Sequence, residues 1–152
     1  FNLFESTVKT KSGLKQKLEE VLVQQQYHTI YRMLCINELG YDYNGIIRKY
    51  QSVVDTIKAR QPNAMIVLEA NLHVTAEKSA SSNTYTNEKI NQINSGIRAI
   101  AENSDCCYID VNDIFDDENG ALKTTSSTDG SHVLGKYYSV WTDWSKGKSP
   151  DV

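Results

Sequence analysis

Proline is nearly absent from this chain, glycine is sparse, and there is no stretch of continuous apolar residues long enough to fill a bilayer. Two prolines and eight glycines in 152 residues argue against disorder or low complexity. The longest apolar runs fall far short of the roughly 20 residues that a membrane-spanning helix needs. Cysteine is scarce as well. Cys35, Cys106 and Cys107 are odd in number, and two are adjacent, so they do not form a disulfide framework and read as small buried apolar residues. Excess positive charge is also missing. Sixteen Lys and Arg face nineteen Asp and Glu, for a net charge of −3, and the pI is near 5.6. A nucleic-acid partner is therefore not expected. No signal-peptide pattern opens the chain, and Phe1-Asn2-Leu3-Phe4 reads as the middle of something longer. The compartment is not legible.

What is present is ordinary for a globular protein: 39% hydrophobic and 23% charged residues. The length suits a single domain over 1–152, and there is no internal repeat. Apolar spacing alternates between two periods. Leu14, Leu18, Val21 and Leu22 predict an amphipathic helix over Ser12–Gln26. The β-branched, mostly apolar run Thr29–Ile36 predicts a buried strand. Ile46, Ile47, Tyr50, Val53, Val54 and Ile57 share one face of a helix over Tyr43–Arg60, which stops before Pro62. A second strand is expected over Ala64–Ala70, a polar loop over Ser79–Ser82, a helix over Asn87–Asn103 and a third strand over Cys106–Val111. A turn follows at Asp116–Gly120. A last helix runs from about Val133 to Trp144, with Leu134, Tyr137, Tyr138, Val140, Trp141 and Trp144 mostly facing the core.

Strands separated by crossover helices imply a parallel sheet with helices on both faces. The fold class is therefore α/β: a three-layer α/β/α sandwich, flavodoxin-like in outline. Sites in such folds lie beyond the carboxyl ends of the strands. Polar residues collect there: Asn37-Glu38 after the first strand, Asn71-Leu72-His73 after the second, and Asp110 and Asn112 after the third.

Asp129-Gly130-Ser131-His132 is the most informative stretch. It is too polar and glycine-rich for an element interior, and a short loop folds Asp129 back onto the His132 ring. A carboxylate on one imidazole nitrogen leaves the other free to take a proton from a nucleophile. Asn37 is the second cluster: an amide just past a buried strand aims its N–H groups at a developing oxyanion. Taken singly, Asp129 reads more readily as a solvated-loop or capping residue, and Asn37 as a turn or helix-capping residue. His73 is a candidate for the lining of the same cleft. His28, at the start of a strand, reads as a surface or packing residue. The three histidines lack the short spacings of a metal motif, and Asp113, Asp116, Asp117 and Glu118 lack the alternation of a calcium loop, so no metal site is expected. Cys35, buried at a strand end, is expected to be inert.

Together, Met33-Leu34-Cys35-Ile36-Asn37-Glu38 and Thr128-Asp129-Gly130-Ser131-His132, in this order on this fold, resemble the SGNH (GDSL-type) hydrolases, a family of lipase-like esterases and acylhydrolases. The resemblance covers about Leu14 to Trp144. It implies ester hydrolysis by acyl transfer to serine, with His132 as general base, Asp129 as its partner and Asn37 as an oxyanion donor. It implies no metal or organic cofactor. The implied substrate is a small acyl ester, with an acetyl group on a carbohydrate as the family-level candidate.

Three departures accompany the resemblance. No Gly-Asp-Ser precedes Asn37, the family's upstream oxyanion glycine has no match, and Cys35 and Glu38 stand where the family has Gly and Asp. The nucleophilic serine is thus expected from outside these residues, with the fold's first strand missing. The exposed sheet edge would be covered by that segment, by another chain or by self-association. The rival expectation is a non-catalytic α/β binding module that keeps the Asp-His pair without turnover.

Overall fold

The structure is a computed structural model that describes residues 7–9, 15–17, 22–23, 26–33 and 42–148. A short antiparallel ribbon comes first, with β1 (Thr7–Lys9) paired to β2 (Lys15–Lys17). Then β3 (Thr29–Met33), β4 (Met65–Glu69) and β5 (Cys107–Ile109) form a parallel sheet in the order β3-β4-β5. The helices are α1 (Tyr43–Arg60), α2 (Ala76–Ser81), α3 (Asn87–Asn103), α4 (Asn112–Phe115) and α5 (Tyr138–Lys148).

The crossover helices form where the apolar stripes demand. Asp42 caps α1, accepting from Gly45 N at 2.8 Å, and the helix ends with Gln61 N donating to Ile57 O just before Pro62. Its buried face is Ile46, Tyr50, Val53, Val54 and Ile57. Thr86 caps α3, whose Ile90, Ile93, Ile97 and Ile100 are buried. Both stripes pack with Ile66 and Leu68 of β4 in one core. The opposite face carries a second core of Val111, Phe115, Leu122 and Val133, with Met33, Trp141 and Trp144 packed against it. Helix α5 joins that face, and Ser145 Oγ donates to the buried Glu69 at 2.8 Å. Helices on both faces of a parallel sheet make the expected three layers. Strand β4 is covered on both sides, which is why Ile66-Val67-Leu68 is a continuous apolar run.

Several local expectations change. Lys15–Lys17, inside the expected helix Ser12–Gln26, is a strand; pairing with Thr7-Val8-Lys9 prevails there over helical spacing. Leu34–Ile36, the end of the expected first strand, lie outside the described residues. The supposed loop Ser79–Ser82 is largely helical, because Thr75 caps α2. Sequence periodicity misses this helix, since none of its side chains is buried. The last helix starts later than Val133. A 3-10 turn over Gly135–Tyr137 sets its phase, so that Tyr137, Trp141 and Trp144 form the inward stripe. Tyr137 and Trp141 meet the Phe115 ring edge-on at 6.3 and 5.8 Å. Tyr138 and Val140 fall off that stripe and are 54% and 51% exposed, not core-facing.

At Gly96, α3 packs closely against side chains of α1. A Cβ there would collide with Ile47 Cδ1 and stand 2.7 Å from the Tyr43 hydroxyl. Gly96→Ala gains about 1 kcal/mol of helix propensity. Overpacking costs about 1–3 kcal/mol, so the variant should be the less stable by urea denaturation, with a lower midpoint and unchanged slope.

Candidate active site

Beyond Ala70, whose N–H still bonds to Ile109 O, β4 runs on into Asn71–Thr75 without a neighbouring strand among the described residues. Buried backbone groups need partners, and asparagine side chains provide them. Asn94 of α3 accepts from Asn71 N at 2.8 Å and donates to Asn71 O at 2.9 Å. Asn87 makes the same reciprocal pair with Val74, at 2.8 and 2.9 Å. Asn112 accepts from His73 N at 2.8 Å and donates to Asn71 O at 2.9 Å. A carboxamide has the donor and acceptor of a peptide group, so these side chains replace a strand.

The segment ends at Thr75, whose N–H donates to Gly130 O at 2.9 Å. That bond docks the Asp129–His132 loop onto the extension of the central strand. Gly130 has φ +80°, and a Cβ there would stand 2.9 Å from Thr75 Oγ1 and 3.1 Å from Lys78 Cβ. Glycine meets both the backbone conformation and the close approach.

Within the loop, Asp129 organises its own successors. Its Oδ1 accepts from Ser131 N and His132 N, both at 2.8 Å, and from Ser127 Oγ at 3.1 Å. Its Oδ2 meets His132 Nδ1 at 2.6 Å. The His132 backbone N–H, then its ring, then the Ser131 N–H hold the Asp129 carboxyl well below the usual carboxylate range. The ionised carboxylate accepts a hydrogen bond from Nδ1–H, the tautomer that leaves the Nε2 lone pair free. His132 and Asp129 are well exposed, at 71% and 53% of their side chains. A cavity of about 280 Å³ adjoins the loop, lined by Thr75, Lys78, Thr124, Ser127, Asp129 and Gly130.

The other expected residues fare differently. Asn37 and Glu38, with Cys35, lie outside the described residues. His73 does not line an open cleft: it is 8% exposed, with Nδ1 at 2.7 Å from Asp116 Oδ2 and Nε2 at 2.7 Å from Asn91 Oδ1. Burial opposes its charge. The hydrogen bonds to Asp116 and Asn91, with the charges of Asp116 and Asp110, outweigh it and raise the pKa above 6.5. His28 stands at the amino end of β3, its Nδ1 3.2 Å from Thr29 Oγ1. In the acidic turn, Asp117 Oδ1 accepts from Asn119 N and Ala121 N. Among the described residues no cluster of His, Cys, Asp and Glu could hold a metal ion. The polar strand ends Asn71 and Asn112 were expected near the site, whereas Thr75, Asn87, Asn91 and Asn94 were not. The spacing of Asn87, Asn91 and Asn94, one face of a helix, was the available signal.

A carboxylate-held imidazole, docked on the extension of the central strand, places the molecule in a class: parallel three-layer α/β proteins with an acid–histidine pair beyond the sheet. Sequence comparison narrows the class. The chain belongs to the GDSL-like lipase/acylhydrolase family, whose sequence model matches residues 6–138. No curated protein matches the chain by sequence. Solved structures share the fold. A Streptococcus pneumonia protein assigned as a platelet activating factor is 20% identical, with a TM-score of 0.72, over 85% of this chain and 66% of that one. A GDSL-like lipase from Bacteroides thetaiotaomicron is 18% identical, with a TM-score of 0.64, over 78% and 60%. Axe2 of Geobacillus Stearmophilus, an acetyl-xylooligosaccharide esterase solved as its W190I mutant, is 14% identical, with a TM-score of 0.60, over 88% and 64%. The chain thus spans less than two thirds of the length of each.

Two outcomes follow from this geometry. Gly130→Ala should cost about 1–2 kcal/mol from its left-handed backbone alone, and it should shift the amide resonances of Thr75, Ser131 and His132, read by NMR alongside a thermal melt. For His73, the raised pKa makes the imidazolium stabilising. Its contribution is complete below pH 6.5 and is lost as pH rises through the folded-state pKa. Urea titrations from pH 5 to 9 should show this decline in the wild type, and His73→Leu should lack it.

Proposed function

We propose that the Asp129–His132 pair serves ester hydrolysis by acyl transfer to a serine. The 2.6 Å contact between His132 Nδ1 and Asp129 Oδ2 carries this reading. His132 Nε2 takes the serine proton as the acyl bond forms, then returns it to the leaving alcohol. Asp129 holds the tautomer and stabilises the imidazolium. Asn37 donates to the oxyanion, and Glu38 beside it retains the charge of the family's aspartate. The sequence holds no Gly-Asp-Ser stretch, so the serine comes from outside these 152 residues. Strand β3, one of the two edge strands of the parallel sheet among the described residues, leads toward Asn37, and its free edge is the candidate seat for the serine-bearing strand, from this polypeptide or another copy.

The substrate we favour is an acetyl ester on a carbohydrate. Two observations support it: the threonine- and serine-lined cavity beside Asp129, and the shared fold of an acetyl-xylooligosaccharide esterase. The chemistry needs no metal or organic cofactor.

Hydrolysis of p-nitrophenyl acetate tests the reading, on the chain alone and on a form extended upstream. The extended form should turn over. His132→Ala should lower kcat by about 10⁴–10⁶-fold, and Asn37→Ala should cost about 10²–10³ in kcat. Full activity in His132→Ala defeats the reading. An extended form that has no upstream serine and shows no turnover leaves a non-catalytic α/β binding module.

A further inference from the structure

The Asp129–His132 loop is docked on Thr75, the last residue of a segment that carries the buried His73. The Asn71–Thr75 segment has its backbone bonded by Asn94, Asn112 and Asn87 at Asn71, His73 and Val74. The His73 ring reaches across. On one side Nδ1 meets Asp116 Oδ2, in the turn after α4; on the other Nε2 meets Asn91 Oδ1, on α3. The turn closes back on the same segment, because Asp116 bridges to Leu122, and Leu122 N donates to Val74 O at 3.2 Å. The residue after Val74 is Thr75, which grips Gly130. An unbroken series of bonds therefore runs from the ring to the residue beside Asp129.

We propose that His73 is a positioning residue for the Asp129–His132 pair: its ring, fastened between Asp116 and Asn91, holds the Asn71–Thr75 segment where Thr75 can fix the Gly130 carbonyl. The role assigned to the pair rests on the reading of His132 as general base; the mechanical link does not. His73 touches no reacting atom. It sets the angle of the loop whose carboxylate orients the imidazole, and small errors in such orientation are costly to proton transfer.

Amide hydrogen exchange by NMR on the full chain tests the link. His73→Leu should speed exchange at Thr75, Ser131 and His132 by about tenfold or more beyond whatever change it makes at Ile97 in the middle of α3, which reports global stability. A residue that merely stabilises the whole molecule would accelerate all four alike. Asn91→Leu removes one anchor of the ring and should act in the same direction; Asn91→Asp keeps an acceptor in place and should preserve wild-type protection. In an ester-hydrolysing form, His73→Leu should lower kcat and leave KM unchanged. Uniform acceleration, or unchanged exchange at Ser131 and His132, overturns the proposal. If His73→Leu does not fold, the contrast between Asn91→Leu and Asn91→Asp decides. If no form hydrolyses ester, the function proposed above fails, and exchange alone judges the positioning role.

Discussion

Once β4 passes Ala70 it loses its strand neighbours among the described residues but stays buried, so five residues of backbone need hydrogen-bond partners from elsewhere. Asn94, Asn87 and Asn112 provide them with side-chain amides. Leaving one such buried group unpaired costs about 1–3 kcal/mol, so the segment stays in place only while those amides stay in place. They come from α3 and from the start of α4, which ties the position of the site to the packing of the crossover helix. The apolar stripe of α3 and its asparagines are adjacent faces of one helix, one seated in the core and the other under the site.

This arrangement separates stiffness from exposure. The Asp129–His132 pair is open to solvent, as a group that must meet a substrate has to be. Its support is dry: Asn71, His73, Asn94 and Asn112 are all buried. An exposed ion pair contributes little to stability because water screens it. Its geometry here comes from the local Asp129 turn, whose bonds are themselves exposed, and from the Thr75–Gly130 bond to the segment beneath. Loops carry function most effectively when a rigid scaffold positions them.

Much of the architecture was legible. Helix α1 over Tyr43–Arg60 and α3 over Asn87–Asn103 match the expected ranges, since long apolar stripes with caps and a following Pro62 are strong local signals. Strands β4 and β5 appear within the expected runs, one or two residues shorter at each end. The short elements were not legible. Helix α2 buries no side chain and shows no stripe, and the exposure of Tyr138 and Val140 depends on a 3-10 turn that no spacing rule announces. The acid–histidine contact could be anticipated because three residues of polar loop suffice to close it. The placement of His73 could not. Its partners Asp116 and Asn91 lie 43 and 18 residues away.

By itself the sequence determined the α/β alternation, the two long crossover helices and the closure of Asp129 on His132, because each depends on residues within a few turns of one another. It also contained the short motifs that mark the family. Tertiary structure decided the rest: that asparagines stand in for a missing strand, that Gly130 must admit Thr75, and that a histidine read as a cleft residue is instead buried between Asp116 and Asn91. Those features arise only when distant segments meet, where burial forces each polar group to find whichever partner the fold brings within reach.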